Sequence, residues 1–436
     1  MALGGGTFLT QNKKLNGTYI NFVSVARATA SLGDRGYAAL PIPLDWGVDG
    51  EVFTVTQSDL QKNCQSIFGY DYTHEKLKGI RDLFKNIHTA FFYKLMKNGV
   101  AASNVYGTAR HKGVRGNDLT TVVQPNVDSP EKMDVLTYLD SNLVDEQTVE
   151  PSTNHLQDND FVVWKRDVDL MATAGTPFTL GANGEPVEGA EHQEALTALE
   201  SYTFNAIGCL SSVETVKNLY IEFTKRLRDQ VGVKFQCIVH KEKADYEGVI
   251  SVKNNVLDDE NVTSMVFWTT GAAAGCPINK SNTNKKYDGE FIVDTKFSQP
   301  ELEVASKGGE FTFHQVGDEV RVLDDINTFT SFTVEKNEDF NSNQTIRLLD
   351  QIGNDIAVLF NTKYLGQVPN DRAGQIALWN DITKHHQELQ KLRALEDFTP
   401  DDVTVSKGET KKSVVVTDYV TPVNAMAQLY MTVMVA

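Results

Sequence analysis

Cysteine is scarce in this chain, with four in 436 residues, and proline numbers only twelve. Cys64, Cys209, Cys237 and Cys276 stand alone without C-x-x-C spacing. That excludes a disulfide framework or a cysteine-rich zinc module and fits buried free thiols in a reducing compartment. Long apolar runs are missing as well. The longest uncharged stretch, Val262–Ile278, contains Ser, Thr, Gly and Pro, which reads as a buried core helix and not as a membrane span. Positive charge is in short supply: 41 Lys and Arg face 58 Asp and Glu, a formal net charge of -17. An anionic membrane surface or a nucleic-acid backbone is therefore excluded as the main partner. The start, "MALGGGTFLTQNKK", has neither the basic lead-in nor the apolar core of a secretory signal, so the sequons at Asn16, Asn261 and Asn343 carry no weight. The G-x-x-x-x-G-K-[ST], G-x-G-x-x-G, H-E-x-x-H and G-x-S-x-G signatures are absent, and with them the common nucleotide, zincin and hydrolase readings.

What is present is an ordinary globular composition, 41% apolar and 23% charged, on a chain long enough for about three domains. A Gly-rich leader runs into Thr18, Tyr19, Ile20, Phe22 and Val23, an arm ending in a strand. "PIPLDWG" reads as an extended connection, and Ser58 with Gln61 as a capping pair. Short runs, "TAFFYKLM", "SNVYGTARH", "LTTVVQP", "MDVLTYL" and "DFVVWKR", follow at the spacing of a β-sandwich, closed by the Gly/Pro-rich "TAGTPFTLGANGEPVEG". From His192 to Phe332 strands ("FNAIGCL", "KFQCIVH", "EFIVDTKF") alternate with helices, the pattern of an α/β layer with a mainly parallel sheet. Two long amphipathic helices come next, and "VTVSKGETKKSVVVTDY" forms a hairpin with Lys407 and Gly408 in its turn. The expected fold class is α+β multidomain. Its parts are an arm (1–23), an N-terminal portion of the core domain (24–92), a β-sandwich insertion (93–183), an α/β domain (184–332), an α+β C-terminal domain (333–426) and a terminal strand (427–436).

That last stretch, "LYMTVMVA", raises a question. Leu429, Met431, Val433 and Val435 fall on one face of an extended strand, and Tyr430, Thr432, Met434 and Ala436 on the other. Both faces want cover. Elsewhere, no arrangement favours catalysis or metal binding. His385 and His386 lack a further ligand at helical spacing and read as a packed or solvated pair. Cys237 and His240 lie three apart on a strand and so point to opposite faces. The acidic "LDDE" (Asp258, Asp259, Glu260) and "LDD" (Asp324, Asp325) read as solvated loops. Lys384, Lys391 and Arg393 make a cationic face on an acidic chain, either simply solvated or in electrostatic contact with an acidic protein partner.

"DFNSNQTIRLLDQIGNDIAVLFNTKYLGQVPNDRAGQIALWNDITKHHQEL" followed by "SVVVTDYVTPVNAMAQLYMTVMV" resembles the C-terminal domain of contractile tail sheath proteins of phages, defective prophages and phage-like bacteriocins. "MALGGGTFLTQNKKLNGTYINFVS" is similar to the N-terminal arm of the same group, so the resemblance spans essentially the whole chain. It implies a structural protein without cofactor or enzymatic activity that stacks as rings around an inner tail tube. Its α/β layer would be subtilisin-like yet not a protease, and Ser211, Asp294 and His240 have no protease motif around them. The implied partners are further copies of itself, the inner tail tube protein, and baseplate and tail terminator proteins, with no nucleic acid and no membrane insertion. The implied location is a virion tail or phage-like particle assembled in a bacterial cytoplasm. Donated intersubunit strands fall on Thr18, Tyr19, Ile20, Phe22 and Val23 at one end, and on Leu429, Tyr430, Met431, Val433 and Val435 at the other. The receiving hairpin carries Val403, Val405, Val414 and Val416, and a helix over Asp371–Leu392 would turn Lys384, Lys391 and Arg393 to the tube. The competing expectations are another self-assembling tail or baseplate component, and an undetected hydrolase on the α/β domain.

Overall fold

The computed structural model describes residues 32–435; the arm residues Thr18, Tyr19, Ile20, Phe22 and Val23 lie outside the described residues. Two compact units are present. The larger is formed by residues 33–354 with 390–397 and 421–435. The strands of its two larger sheets are β1 (Tyr37–Pro43), β2 (Val52–Thr56), β3 (Thr89–Leu95), β4 (Leu119–Pro125), β5 (Met133–Leu139), β6 (Asn142–Val149), β7 (Thr173–Pro177), β8 (Ala206–Gly208), β9 (Gln236–His240), β10 (Val249–Val252) and β11 (Glu310–Phe311). Seven of them make the main sheet, in the order β11-β10-β9-β8-β1-β3-β2. All are parallel except β2, which runs antiparallel to β3.

The central strands are apolar on both faces, as a sheet covered on both sides requires. Leu40, Ile42, Phe92, Ile238 and Ile250 pack against α1 (Lys78–Phe84) and the apolar helix 265–275. Ala39, Ile207, Cys237 and Val239 pack on the other side against Leu196 of helix 189–199 and Tyr220 of helix 214–225. The helix expected within Val262–Ile278 is thus the core of one layer. A Cβ at Gly271 would lie 2.3 Å from the Leu83 carbonyl oxygen, and one at Gly275 would lie 1.7 Å from that of Asn86; glycine lets this helix touch its neighbour's backbone.

Several local readings are corrected. "PIPLDWG" begins inside the central strand β1. Its prolines are tolerated because the ladder to β8 ends at Ala39, so β1 has a free side at Pro41 and Pro43. "TAFFYKLM" is β3 of the main sheet and not a sandwich strand. "EFIVDTKF" forms no strand: Val293 makes a single bridge to Val256, while Phe291 and Val293 sink into the core. The cap near residue 58 belongs to Thr56 and Asp59, whose side chains and backbone amides bond reciprocally. Asp325 is buried, not solvated, and ion-pairs with buried Arg347. The four cysteines are free and buried. A separate four-stranded antiparallel sheet, β6-β5-β4-β7, carries its own core of Trp46, Leu119, Val135, Leu139, Trp164 and Phe178.

Burial also sets an acid limit. Desolvation holds His192, His240 and half-buried His111 down at about 4, so on unfolding each takes up a proton between pH 6.5 and 4. Desolvation pushes Asp82 up to about 6, and that group acts in the opposite sense. Two of the three histidine protons remain uncompensated. Stability is therefore expected to fall by about 4 kcal/mol as pH drops from 6.5 to 4.5, and His240→Gln should flatten the decline in denaturant midpoints.

The smaller unit contains residues 355–389 and 398–420. It receives the end of α2 (Asn343–Leu359), most of α3 (Arg372–Lys391), and the hairpin β12 (Val403–Lys407) with β13 (Val414–Asp418). Its core is Leu359, Tyr364, Leu378, Ile382, Phe398 and Val403. Lys407 is the last strand residue, opposite Val414, so the turn is longer than the sequence alone implied.

Candidate functional site

The C-terminal segment is fixed to the larger unit and then let go. Val423 donates to the Ala394 carbonyl, Gln344 donates to that of Val423, and Ala425 donates to Gln344 Oε1. Beyond Ala425 the described backbone belongs to no helix or strand. Leu429 is 85% exposed and Val435 93%, and Tyr430, Met431 and Val433 are exposed as well. Among the described residues, the one side-chain hydrogen bond in this stretch joins Tyr430 to Gln428. Among the described residues this run of alternating apolar side chains has no neighbouring strand to supply a ladder.

In the hairpin, Val403 pairs with Asp418, Val405 with Val416 and Lys407 with Val414, so these side chains share one face. Val403 is buried and Val405 and Val414 pack on the same core, while Val416 and Val415 are exposed. Among the described residues the two strands make a sheet of their own, with no third strand on either edge. Trp379 Nε1 donates to the Val403 carbonyl, and Asn370 donates to that of Ser413, fixing the base and the turn.

Lys384 and Lys391 are exposed on α3. Arg393 is exposed but not helical: α3 ends at Lys391, and Arg393 turns into the left-handed region with φ of 61°. The three cations thus do not share one helix face, because the chain leaves the helix before the third. The adjacent His385 and His386, read from the sequence as a packed or solvated pair, are fully buried. Their partners, Asp355 and Asp418, lie some thirty residues away on either side, and no local spacing pointed to them.

The main sheet has a topological switch point at β1, where parallel α/β folds commonly bind ligands. A cavity of about 250 Å³ lies there, lined by Pro43, Lys76, His192, Ser211, Asp259 and Ser264 among others. Its polar groups are engaged internally. Lys76 is held by Asp45 and Tyr70, Asp259 accepts from Ser264 Oγ, Ser211 Oγ accepts from the Val213 amide, and His192 Nδ1 meets the Tyr220 hydroxyl. No hydrogen bond joins any two of Ser211, Asp294 and His240. Among the described residues, no group of three metal-ligating side chains converges, and no helix is long and apolar enough to cross a membrane.

A multidomain chain with an anchored, exposed apolar terminal segment and, among the described residues, a hairpin without a third strand has the form of a self-assembling structural subunit. Family models match in register along it: the phage tail sheath protein beta-sandwich domain at residues 94–183, the central domain at 185–328 and the C-terminal domain at 335–436. The phage-like element PBSX protein XkdK of Bacillus subtilis is 31% identical over 99% of both chains. The crystal structure of the sheath tail protein from Desulfitobacterium hafniense superposes with a TM-score of 0.82 at 33% identity, covering 95% of this chain and 99% of that one. The contracted-state helical sheath of the anti-feeding prophage shares the fold, with a TM-score of 0.56 at 11% identity over 96% of this chain and 99% of the other. The chain belongs to the phage tail sheath family and is a tail sheath subunit.

Proposed function

We propose that the subunits polymerise as stacked rings around an inner tail tube, linked by strands exchanged between copies, with no enzymatic activity. The observation that carries this reading is the C-terminal segment, whose apolar side chains stand in solvent beyond a firm anchor at Ala425. An unpaired strand of this kind is an aggregation hazard unless its pairing is specified, and strand addition to a sheet edge specifies it. Leu429, Tyr430, Met431, Val433 and Val435 are the donated residues, and the hairpin bearing Val403, Val405, Val414 and Val416 receives a strand on a free edge. The amino-terminal arm with Thr18, Tyr19, Ile20, Phe22 and Val23 is a second donor. A linkage through flexible tethers keeps its hydrogen bonds while subunit bodies move, so contraction can switch between two packings of the same copies.

Baseplate and terminator proteins cap the polymer, and the assembled particle is a phage tail or a phage-like device built in a bacterial cytoplasm. The domain division given from the sequence is kept as a working scheme, with the α/β domain compared to subtilisin in architecture only. The internally engaged polar groups of the switch-point cavity support a non-enzymatic role. Lys384, Lys391 and Arg393 are assigned to the tube.

Negative-stain microscopy of the purified chain tests the assembly, with hollow cylinders expected. Replacing the three cations by Glu should leave those cylinders intact but reduce decoration of purified tubes at least tenfold. Normal decoration by the triple variant would remove the tube assignment.

A further inference from the structure

We propose that Asp355, His385, His386 and Asp418 form a binding site for one extra proton, which clamps the hairpin β12–β13 to helix α3. Both imidazoles are fully buried. His385 Nε2 lies 2.9 Å from Asp355 Oδ2, on α2, and His386 Nε2 lies 2.7 Å from Asp418 Oδ2, on β13. The two Nδ1 atoms face each other at 3.1 Å. Phe398 packs its ring on His386, with centroids 5.1 Å apart.

An ionised carboxylate only accepts, so each Nε2 must carry hydrogen. If both rings were neutral, each Nδ1 would then be a bare lone pair, and two lone pairs would be buried against each other. A buried acceptor without a donor keeps its full desolvation penalty. One further proton between the Nδ1 atoms satisfies all three contacts, and a fourth would oppose two N–H groups. The chain of four side chains therefore holds three protons in line, one more than two neutral imidazoles and two carboxylates carry. The extra charge sits between two carboxylates and makes the outer hydrogen bonds charge-assisted. A metal ion in the same place would find only two nitrogens, whereas structural sites supply four ligands.

The clamp acts at the root of the hairpin, where Asp418 stands opposite Val403. Asp418 Oδ1 is buried without a partner, so the bond to His386 is what holds this carboxylate. Losing the shared proton loosens β13. The consequence for assembly rests on the reading of this hairpin as the strand acceptor; the clamp itself does not.

Histidine-selective ¹⁵N labelling of the full, unpolymerised chain tests it, with nine histidines to resolve. Three N–H groups are expected on the four ring nitrogens of the pair near neutral pH. Two would overturn the proposal, as would a stoichiometric bound metal in the same sample. Asp418→Asn supplies a second test. Its amide donates to His386 Nε2, the ring hydrogen moves to Nδ1 and points at His385 Nδ1, and the chain is satisfied without the extra proton. The same spectra of Asp418→Asn should count two N–H groups on the four ring nitrogens, one fewer than the parent. An equal count in both would overturn the clamp. Neither readout involves polymerisation, so failure of the strand-exchange reading leaves them intact.

Discussion

Deleting Met426–Ala436 is expected to leave a folded chain that no longer polymerises. Among the described residues, the deleted stretch makes no side-chain hydrogen bond except the one from Tyr430 to Gln428, and it adds nothing to any core cluster. Surface changes away from packed features usually alter stability by no more than about 0.5 kcal/mol, so the melting temperature should stay within about 2 °C of the parent. Assembly is a different matter. Burying a side chain of the size of Leu, Met or Val contributes about 1.5 to 3 kcal/mol, and ordering each residue costs about 1 to 2 kcal/mol. The two nearly cancel, so a lone exchanged strand is weak, and the polymer depends on every copy both donating and receiving one. Sedimentation velocity should show monomers at concentrations where the parent forms cylinders. Parent-like cylinders from the truncated chain would refute strand donation by this end. Val433→Asp alone should act in the same direction, because it places a charge in the ladder that the partner must bury.

The layers of the larger unit were legible because their apolar patterns are long. "FNAIGCL" and "KFQCIVH" are mostly apolar runs, and the helix within Val262–Ile278 is uncharged throughout. Reading failed where tertiary context overrides local pattern. β1 was hidden because two prolines sit in it, and proline is compatible with that strand only because β8 is three residues long. β3 was assigned to the sandwich because its sequence is as good an isolated strand as any there; nothing local says which sheet it joins. The acidic loop at Asp324 and Asp325 looked solvated because Arg347, the residue that neutralises Asp325, lies twenty-two residues further on. The histidine pair was placed on its helix correctly, but its carboxylates are each thirty or more residues away. For the exposed terminal strand the reverse holds. Its alternation is plain in the sequence, and among the described residues no partner pairs with it.

Asp325→Ala is expected to be among the most damaging single substitutions in the larger unit. Arg347 is almost wholly inaccessible, and it reaches Asp325 Oδ2 at 2.7 Å and the Lys280 carbonyl at 3.0 Å. Its Nε and Nη1 atoms have no partner. Burial raises the Asp325 carboxyl, yet the guanidinium and the hydrogen bonds from Asn282 and Asn343 outweigh it and hold the group below the usual carboxylate range. Removing that carboxylate strands a cation and two donors in the interior. Breaking a buried pair by deleting one partner costs about 3 to 5 kcal/mol, a large share of the roughly 5 to 15 kcal/mol that holds a domain folded. A fall in melting temperature on the order of 10 °C, or loss from the soluble fraction, is the expected result. The double variant Asp325→Asn with Arg347→Met removes both charges, while the amide oxygen still accepts from the Asn282 amide. It should recover at least half of the loss, since the penalty comes from the stranded charge and not from the absence of attraction. A single variant within about 3 °C of the parent would mean that water reaches the guanidinium and that α2 is held to the sheet by other contacts, of which the buried Arg228–Asp350 pair at 2.6 Å is the next to break.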